Sequence, residues 1–193
     1  MSMGSPFYAM LSRMKHIDRW ALMRNIRREN LCEHSQDVAV IAHALAVLTN
    51  TRFGGHVDEG KCVLLAMYHD ASEILTGDLP TPVKYDNPTI RDAYKELESV
   101  ASNKLLSMLP LDLQPSYAPY FTEEASREAT LVKAADKLAA LIKCVEELAQ
   151  GNGEFASAKI ATERAVRDMQ IPAADCFLDE FLPAFSLTLD EQH

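Results

Sequence analysis

Residues 60–73 read Gly-Lys-Cys-Val-Leu-Leu-Ala-Met-Tyr-His-Asp-Ala-Ser-Glu and join an apolar segment directly to three ionisable side chains. The segment 62–67 is apolar on every face, which predicts a helix surrounded by other helices. Ionisable groups at the end of a buried helix are costly unless they are paired or bind a metal. His69, Asp70 and Glu73 therefore predict a polar cluster whose partner is a divalent cation.

The spacing of these residues places Glu73 one helical turn beyond both His69 and Asp70. Glu73 follows His69 by four positions and Asp70 by three, so their Cβ atoms would lie about 5–6 Å apart. If His69 and Asp70 hold an ion, Glu73 would lie next to that ion, one helical turn further along. The alternative is a buried hydrogen bond between His69 and Asp70, with Glu73 at a solvated helix end.

The remaining sequence predicts an all-α fold, a single helical bundle across residues 1–193. No segment alternates apolar and polar residues for long enough to make a strand, and no internal repeat occurs. The metal core would span about residues 30–150, with C-terminal helices at 154–185 packing on it. Further helices are predicted at 7–14, 37–48, 89–109, 123–150, 154–169 and 173–185, and an irregular connection at 110–119.

Composition excludes several classes of function. The formal net charge of −9 and the pI near 5.1 disfavour binding to nucleic acid polymers or anionic membranes. No apolar run approaches the ~20 residues needed to cross a bilayer, and the first residues lack a signal-peptide pattern, so a cytoplasmic location is expected. The scattered cysteines lack zinc-site spacing and predict reduced core residues, namely Cys32, Cys62, Cys144 and Cys176.

Basic residues are concentrated in the segment 13–28, where Asp18 is the only acidic residue. One interpretation is a solvated surface that offsets acidic helices elsewhere. The pair Arg19-Trp20 favours another, because it places a planar, bidentate phosphate donor beside the only tryptophan of the chain.

Two further residues point inward from predicted helices. His34 begins an apolar stripe that continues through Val38, Ile41 and Leu45, although a histidine in such a place can also be a hydrogen-bonded core residue. Asp136 shares a helix side with apolar neighbours, which is costly because Asp is a poor residue in a helix interior. Its alternative role is to pair with another charge.

The segment after Glu73 predicts a stiff loop. Gly77 fits a helix C-terminus, and Pro80 and Pro82 are expected to hold the following residues extended. Residues 78–81 should therefore lie near any site at Glu73, unless they are only a connecting turn.

Together, His34, His69, Asp70 and Asp136 form a candidate ligand set on three helices. Two imidazoles with two carboxylates suit manganese, cobalt, iron or nickel better than magnesium. Four ligands leave an octahedral ion two positions for water and a substrate oxygen, as a hydrolase needs.

The sequence resembles a known family at four strings. These are Arg19-Trp20, Asn30-Leu-Cys-Glu-His-Ser35, the residues Met-Tyr-His-Asp-Ala-Ser-Glu at 67–73, and Leu-Thr-Gly-Asp-Leu-Pro-Thr-Pro-Val-Lys-Tyr at 75–85. A His, then His-Asp, then a distant Asp resembles the HD-domain superfamily of metal-dependent phosphohydrolases. The longer strings are similar to its bacterial YfbR-like 5′-deoxynucleotidases, over about residues 8–191.

The resemblance implies a cytoplasmic homodimer that removes phosphate from deoxyribonucleoside 5′-monophosphates, accepts any base and largely ignores ribonucleotides. It implies one divalent ion, with cobalt, manganese or copper supporting activity. Arg19 would orient the phosphate, and Trp20 would lie where a ribose 2′-hydroxyl would clash. The implied residues are His34, His69, Asp70 and Asp136 for the metal; Arg19, Trp20, His34, Asp70, Asp78, Leu79, Pro80, Thr81 and Asp136 for substrate; and Glu73, Arg19 and Asp70 for catalysis.

The expected mechanism is attack of a metal-bound water on phosphorus, with Glu73 either steering the water or protonating the leaving oxygen. One alternative is an HD phosphohydrolase for triphosphates, cyclic dinucleotides or guanosine tetraphosphate, although few basic residues converge near Arg19. Another is a catalytically silent helical module with a structural metal or none. A serine or cysteine hydrolase is disfavoured because no Gly-x-Ser-x-Gly elbow occurs.

Overall fold

The computed structural model describes residues 4–84, 86–122 and 125–192. These residues form helices and one isolated antiparallel bridge between Asp18 and Asn30, and contain no strand, so the all-α prediction is confirmed. The α-helices, in chain order, are α1 Phe7–Leu11, α2 Leu31–Arg52, α3 Glu59–Tyr68, α4 Glu73–Thr76, α5 Thr81–Lys84, α6 Pro88–Leu106, α7 Gln114–Phe121, α8 Arg127–Ala149, α9 Ala156–Arg167 and α10 Pro172–Glu180. Short 3₁₀ helices occupy Ser12–His16, Gly153–Phe155, Leu182–Ser186 and Leu189–Gln192.

The described residues divide into two compact units. The first takes those within Met1–Leu22, Arg28–Ser35 and Met67–Glu124, and the second takes those within Met23–Arg27, Gln36–Ala66 and Ala125–His193. The prediction of a single domain stays a prediction. None of the described helices is both long and apolar enough to cross a membrane.

The first unit has a small core formed by Phe7, Ala71, Leu105 and Leu109. Aromatic residues of α7 pack against it, and the Phe7 and Tyr117 ring centroids are 5.4 Å apart. Because Ala71 directly follows the His69-Asp70 pair, this core fixes the chain at the predicted site.

The second unit has the larger core, to which α8 contributes the most buried residues. Its apolar stripe is buried as predicted, and α2, α3 and α10 supply the facing side chains. The buried residues of α8 include Leu131, Val132, Ala134, Ala135, Leu138, Ala139, Leu141, Ile142 and Val145.

A buried ion pair also lies in the second unit. The Glu147 side chain accepts hydrogen bonds from the Lys143 ammonium, from the Asn152 amide at 2.7 Å, and from the backbone N–H groups of Ile26 at 2.9 Å and Arg27 at 3.1 Å. Burial alone would raise the pKa of Glu147, but these donors lower it to about 2. The carboxylate is thus fully satisfied as an anion.

Capping residues set where the helices begin. The Asn30 side chain accepts from the N–H groups of Cys32 at 3.0 Å and Glu33 at 3.1 Å. This N-cap starts α2 at Leu31, six residues earlier than the predicted start at residue 37. Asn87 caps α6 in the same way, accepting from Ile90 N–H at 3.0 Å.

Three local predictions are wrong. The helix predicted across 60–73 ends at Tyr68, and a turn at 69–72 precedes α4. The connection predicted to be irregular contains α7, because Pro115 lies in its first turn and Pro119 forfeits only one backbone hydrogen bond. Pro82 likewise lies in the first turn of α5, so the chain after Pro80 is helical rather than extended.

Burial also departs from the sequence prediction in two places. Leu64 is 36% exposed and Met67 44% exposed, so α3 buries one stripe at Cys62 and Ala66 rather than every face. Cys32 is exposed rather than in the core, since it lies on the outer side of the first turn of α2. The predicted helix start at Glu123 and the motif's last residue, Tyr85, lie outside the described residues.

Candidate active site

The candidate site lies in the first unit, where the first turn of α2 meets the turn after α3. The N-cap at Asn30 places His34 in that first turn, where its side chain is completely buried. The turn after α3 is closed by Ala71 N–H donating to the Tyr68 carbonyl and Glu73 N–H donating to the Asp70 carbonyl, both at 3.0 Å. This turn presents His69 and Asp70.

Both imidazoles approach the same oxygen of Asp70. His69 Nε2 lies 3.1 Å from Asp70 Oδ2, and His34 Nε2 lies 3.6 Å from it. The two rings are 5.3 Å apart between centroids, and ligand atoms of the two histidines lie within 4.8 Å of each other. The structure therefore brings together three of the four predicted metal ligands.

The charge around Asp70 keeps it ionised. Burial alone would raise the pKa of Asp70, but the charges of His69, His34 and Arg19 and a hydrogen bond with His69 lower it well below its usual range. An ionised carboxylate beside two imidazole nitrogens is a mixed oxygen and nitrogen donor set. These residues fit a divalent first-row metal ion.

Arg19 extends the cluster. Its Nη1 donates to Asp70 Oδ2 at 3.2 Å and lies 4.0 Å from Asp78 Oδ1. Its Nε lies 3.3 Å from Glu29 Oε1. The guanidinium that was predicted to bind phosphate is thus adjacent to the candidate metal ligands.

Trp20 joins this cluster through Glu29, the residue that also contacts Arg19. Trp20 Nε1 donates to Glu29 Oε2 at 3.0 Å, and the Trp20 backbone has a φ of 59°. A positive φ is unfavourable for a bulky side chain and is often found at functional sites. Sequence reasoning missed Glu29, because it lies in an irregular segment and no spacing relates it to the other residues.

Glu73 is buried, with 4% of its surface exposed, and its Oε2 has no hydrogen-bond partner among the described residues. Burial and the negative charges of Asp70 and Asp78 raise its pKa to about 9. The protonated acid is therefore favoured at neutral pH, as in a group that holds a proton for transfer.

The loop that follows is held by α6. Gly77 has a φ of 77°, and its carbonyl accepts from the Tyr94 hydroxyl at 2.8 Å. Leu79 and Pro80 are half-buried and Thr81 is exposed. Burial, opposed by the charge of Arg19, raises the pKa of Asp78. Sequence reasoning missed Tyr94; its place in the middle of a helix gives no signal of this bond.

Asp136, the fourth predicted ligand, lies on α8 in the second unit and is half-buried. The apolar residues on its side of the helix, including Val132 and Ala139, are buried as predicted. Its role as a ligand stays a prediction.

Comparison with known proteins identifies the family. A model of the YfbR-like 5′-deoxynucleotidases matches residues 6–185. The chain belongs to this family. A 5′-deoxynucleotidase of Erwinia tasmaniensis is 51% identical over 97% of this chain and 96% of its own length, and one of Yersinia pestis is 52% identical with the same coverage.

Solved structures agree with the YfbR-like assignment at the level of the fold. An HD-domain phosphohydrolase from Listeria innocua matches with a TM-score of 0.80 and 27% identity, covering 95% of this chain and 90% of its own. A cyanophage S-2L HD phosphohydrolase, solved with dA and one catalytic Zn²⁺ ion, matches with a TM-score of 0.68 and 18% identity, covering 93% and 96%. The fold of this YfbR-like chain is that of the HD-domain phosphohydrolases.

Proposed function

We propose that this chain is a metal-dependent 5′-deoxynucleotidase that hydrolyses deoxyribonucleoside 5′-monophosphates to deoxynucleoside and phosphate. One observation carries the proposal: Arg19, His34 and His69 all approach the same carboxylate oxygen, Asp70 Oδ2. A guanidinium beside a metal ligand set can bind a phosphate whose other oxygens face the ion. The names of the curated relatives support this substrate class.

The proposed metal ligands are His34, His69, Asp70 and Asp136, with cobalt, manganese or copper as the ion. The family resemblance and the half-buried, mid-helix position of Asp136 support its inclusion. When bound, the ion would polarise a phosphate oxygen and lower the pKa of a water molecule.

The proposed substrate contacts divide by chemistry. Arg19 binds and orients the phosphate, and its contact with Asp70 keeps the guanidinium at the ligand cluster. Trp20 occupies the space of a ribose 2′-hydroxyl, and Asp78, Leu79, Pro80 and Thr81 contact the sugar and its 3′-hydroxyl. Selectivity that rests on a filled space at the sugar leaves the base free to vary.

Glu73 is the proposed proton donor. Its raised pKa supports a carboxylic acid at neutral pH, and its proton would go to the leaving 5′-oxygen as the bond from phosphorus to that oxygen breaks. The attacking water forms the new bond to phosphorus; one of its protons stays on the phosphate product as a hydroxyl, and the other restores the acid form of Glu73 through solvent.

The family resemblance also supports a cytoplasmic enzyme that works as a homodimer. Sedimentation of the purified chain would test the dimer directly, because a monomer at working concentration contradicts it.

The deciding experiment is phosphate release from paired deoxyribonucleotides and ribonucleotides, on metal-stripped protein resupplied with one ion at a time. We expect orthophosphate from all deoxyribonucleoside monophosphates with cobalt, manganese or copper, and little from ribonucleotides. In Trp20→Ala the rate with AMP relative to dAMP should rise, and Asp136→Asn should bind metal more weakly than the exposed control Asp112→Asn. Pyrophosphate or tripolyphosphate from triphosphates would favour another HD phosphohydrolase, and no release with any ion would contradict the proposal.

A further inference from the structure

The residue Glu29 lies where two irregular segments of the first unit meet. Arg19 N–H donates to the Glu29 carbonyl at 2.9 Å, and Leu31 N–H donates to the Ile17 carbonyl at 3.0 Å. These bonds flank the bridge between Asp18 and Asn30. The backbone at Glu29 is thereby fixed against the segment that carries Arg19 and Trp20.

The Glu29 side chain is 12% exposed, and its carboxylate contacts three residues of the proposed site. Oε1 lies 3.1 Å from His34 Nδ1 and 3.3 Å from Arg19 Nε, while Oε2 accepts from Trp20 Nε1 at 3.0 Å. Each contact uses a nitrogen other than the atom that does the proposed work. His34 keeps Nε2 for the metal, Arg19 keeps Nη1 beside Asp70, and Trp20 keeps its ring face for the sugar.

The contacts require a charged carboxylate rather than a neutral group of the same shape. Trp20 donates its indole N–H to Oε2, while Oε1 lies close to Nδ1 of His34 and Nε of Arg19, two nitrogens that can carry a proton. In a glutamine, one oxygen becomes an amino group, which meets a donor whichever way the amide is turned.

The Glu29 carboxylate also helps to stabilise an unfavourable backbone conformation at Trp20. The φ of 59° at Trp20 is unfavourable for a bulky residue and persists only when surrounding contacts stabilise it. The Arg19 N–H on one side and the indole N–H on the other both donate to Glu29, to its carbonyl and its carboxylate. Loss of the carboxylate would release the indole from its position.

We propose that Glu29 is a positioning residue whose single, largely buried carboxylate orients the metal ligand His34, the phosphate-binding Arg19 and the sugar-facing Trp20 together. The inference rests on the proposed function of these three residues. Metal-binding histidines commonly contact a carboxylate through their second ring nitrogen, and this contact fixes the tautomer and the orientation of the ring. Glu29 would do this for His34. Glu29 also couples metal affinity to selectivity for deoxyribose, because both depend on the same carboxylate, through Oε1 at His34 and Oε2 at Trp20.

The test compares Glu29→Gln and Glu29→Asp with Glu96→Gln, which removes an exposed charge on α6 of the same unit. Four quantities are measured: Mn²⁺ affinity of stripped protein by calorimetry, Trp20 fluorescence, kcat and KM for dAMP, and the ratio of AMP to dAMP hydrolysis. Trp20 is the only tryptophan, so its emission reports this position alone.

For Glu29→Gln we expect Mn²⁺ affinity to fall about 10- to 100-fold, Trp20 emission to move to longer wavelength, kcat for dAMP to fall, and the AMP to dAMP ratio to rise several-fold. Glu29→Asp keeps the charge and should recover part of each change, while Glu96→Gln should match the parent. If Glu29→Gln does not fold, Glu29→Asp carries the test, with intermediate values expected.

A loss of thermal stability with parental Mn²⁺ affinity, emission and substrate ratio would reduce Glu29 to a structural residue and overturn the proposal. If the parent enzyme itself releases no phosphate from dAMP with any ion, the proposed function fails. The Mn²⁺ and fluorescence measurements still decide whether Glu29 orients His34 and Trp20.

Discussion

The described residues include two buried glutamates, Glu73 and Glu147, whose polar clusters differ in how well the glutamate is satisfied. Glu147, in the second unit, meets only donors, and its pKa is lowered to about 2. Glu73, in the first unit, has an oxygen without a hydrogen-bond partner among the described residues, faces the negative charges of Asp70 and Asp78, and has its pKa raised to about 9.

This difference indicates that a buried carboxyl group can either stabilise the fold, as expected for Glu147, or take part in chemistry, as proposed for Glu73. A fully paired carboxylate stabilises the fold at neutral pH but has no proton to give and no open oxygen. A carboxyl group held uncharged beside ionised neighbours costs stability, and natural proteins retain such groups mainly at functional sites. The clusters should therefore respond in opposite ways to the same substitution, Glu→Gln.

The largest expected effect is on catalysis at Glu73. Glu73→Gln should lower kcat for dAMP by about 100- to 10,000-fold, because the amide cannot transfer a proton. Its melting temperature should equal or exceed that of the parent, since the replaced acid is already uncharged. Steady-state kinetics and thermal melts, with Glu96→Gln as control, measure both. Parental turnover in Glu73→Gln would remove Glu73 from the mechanism.

The second effect is on stability at Glu147. Glu147→Gln leaves the Lys143 ammonium buried without its anion and should lower the free energy of unfolding by about 3 kcal/mol or more. Glu163→Gln is the matched control, because Lys159 and Glu163 form a pair of the same i,i+4 spacing that is partly open to solvent; its cost should stay under about 1 kcal/mol. Urea unfolding measures the difference, and equal losses in the two variants would contradict the comparison.

A smaller and more specific effect is the pH dependence of that stability. The pKa of Glu147 is about 2 in the fold against an ordinary 4.5, so its contribution is complete above pH 4.5 and is lost as the pH falls toward 2. The difference in unfolding free energy between the parent and Glu147→Gln should therefore narrow across this window. Urea unfolding of both proteins at pH 6, 4 and 3 measures it; a difference that widens toward acid would contradict the assigned direction.

Much of the fold and part of the site were predictable from local patterns. The apolar stripe of α8 required a helix, and His34 follows from its position at the start of the stripe on α2. His69 and Asp70 were predicted because adjacent ionisable residues after an apolar segment need a partner. Each of these signals lies within a few residues of sequence.

The rest depends on contacts between segments that no local pattern encodes. Glu29 reaches His34 and Trp20 only because the backbone at 17–19 meets that at 29–31. No local pattern indicated that α3 ends at Tyr68, since residues 69–72 include no Gly or Pro and the spacing to Glu73 fits an unbroken helix. Tyr94 reaches the Gly77 carbonyl through a contact between α6 and a loop.

The four-residue core at Phe7, Ala71, Leu105 and Leu109 has a consequence for how the protein fails on heating. Because this core is small, we expect it to unfold locally at a lower free energy than the larger core around α8. Ala71 belongs to this small core and directly follows Asp70 in the sequence. Warming should therefore inactivate the enzyme before it melts globally. Substitutions screened by residual activity would then make α1 and α6 seem more critical than a screen for soluble expression would.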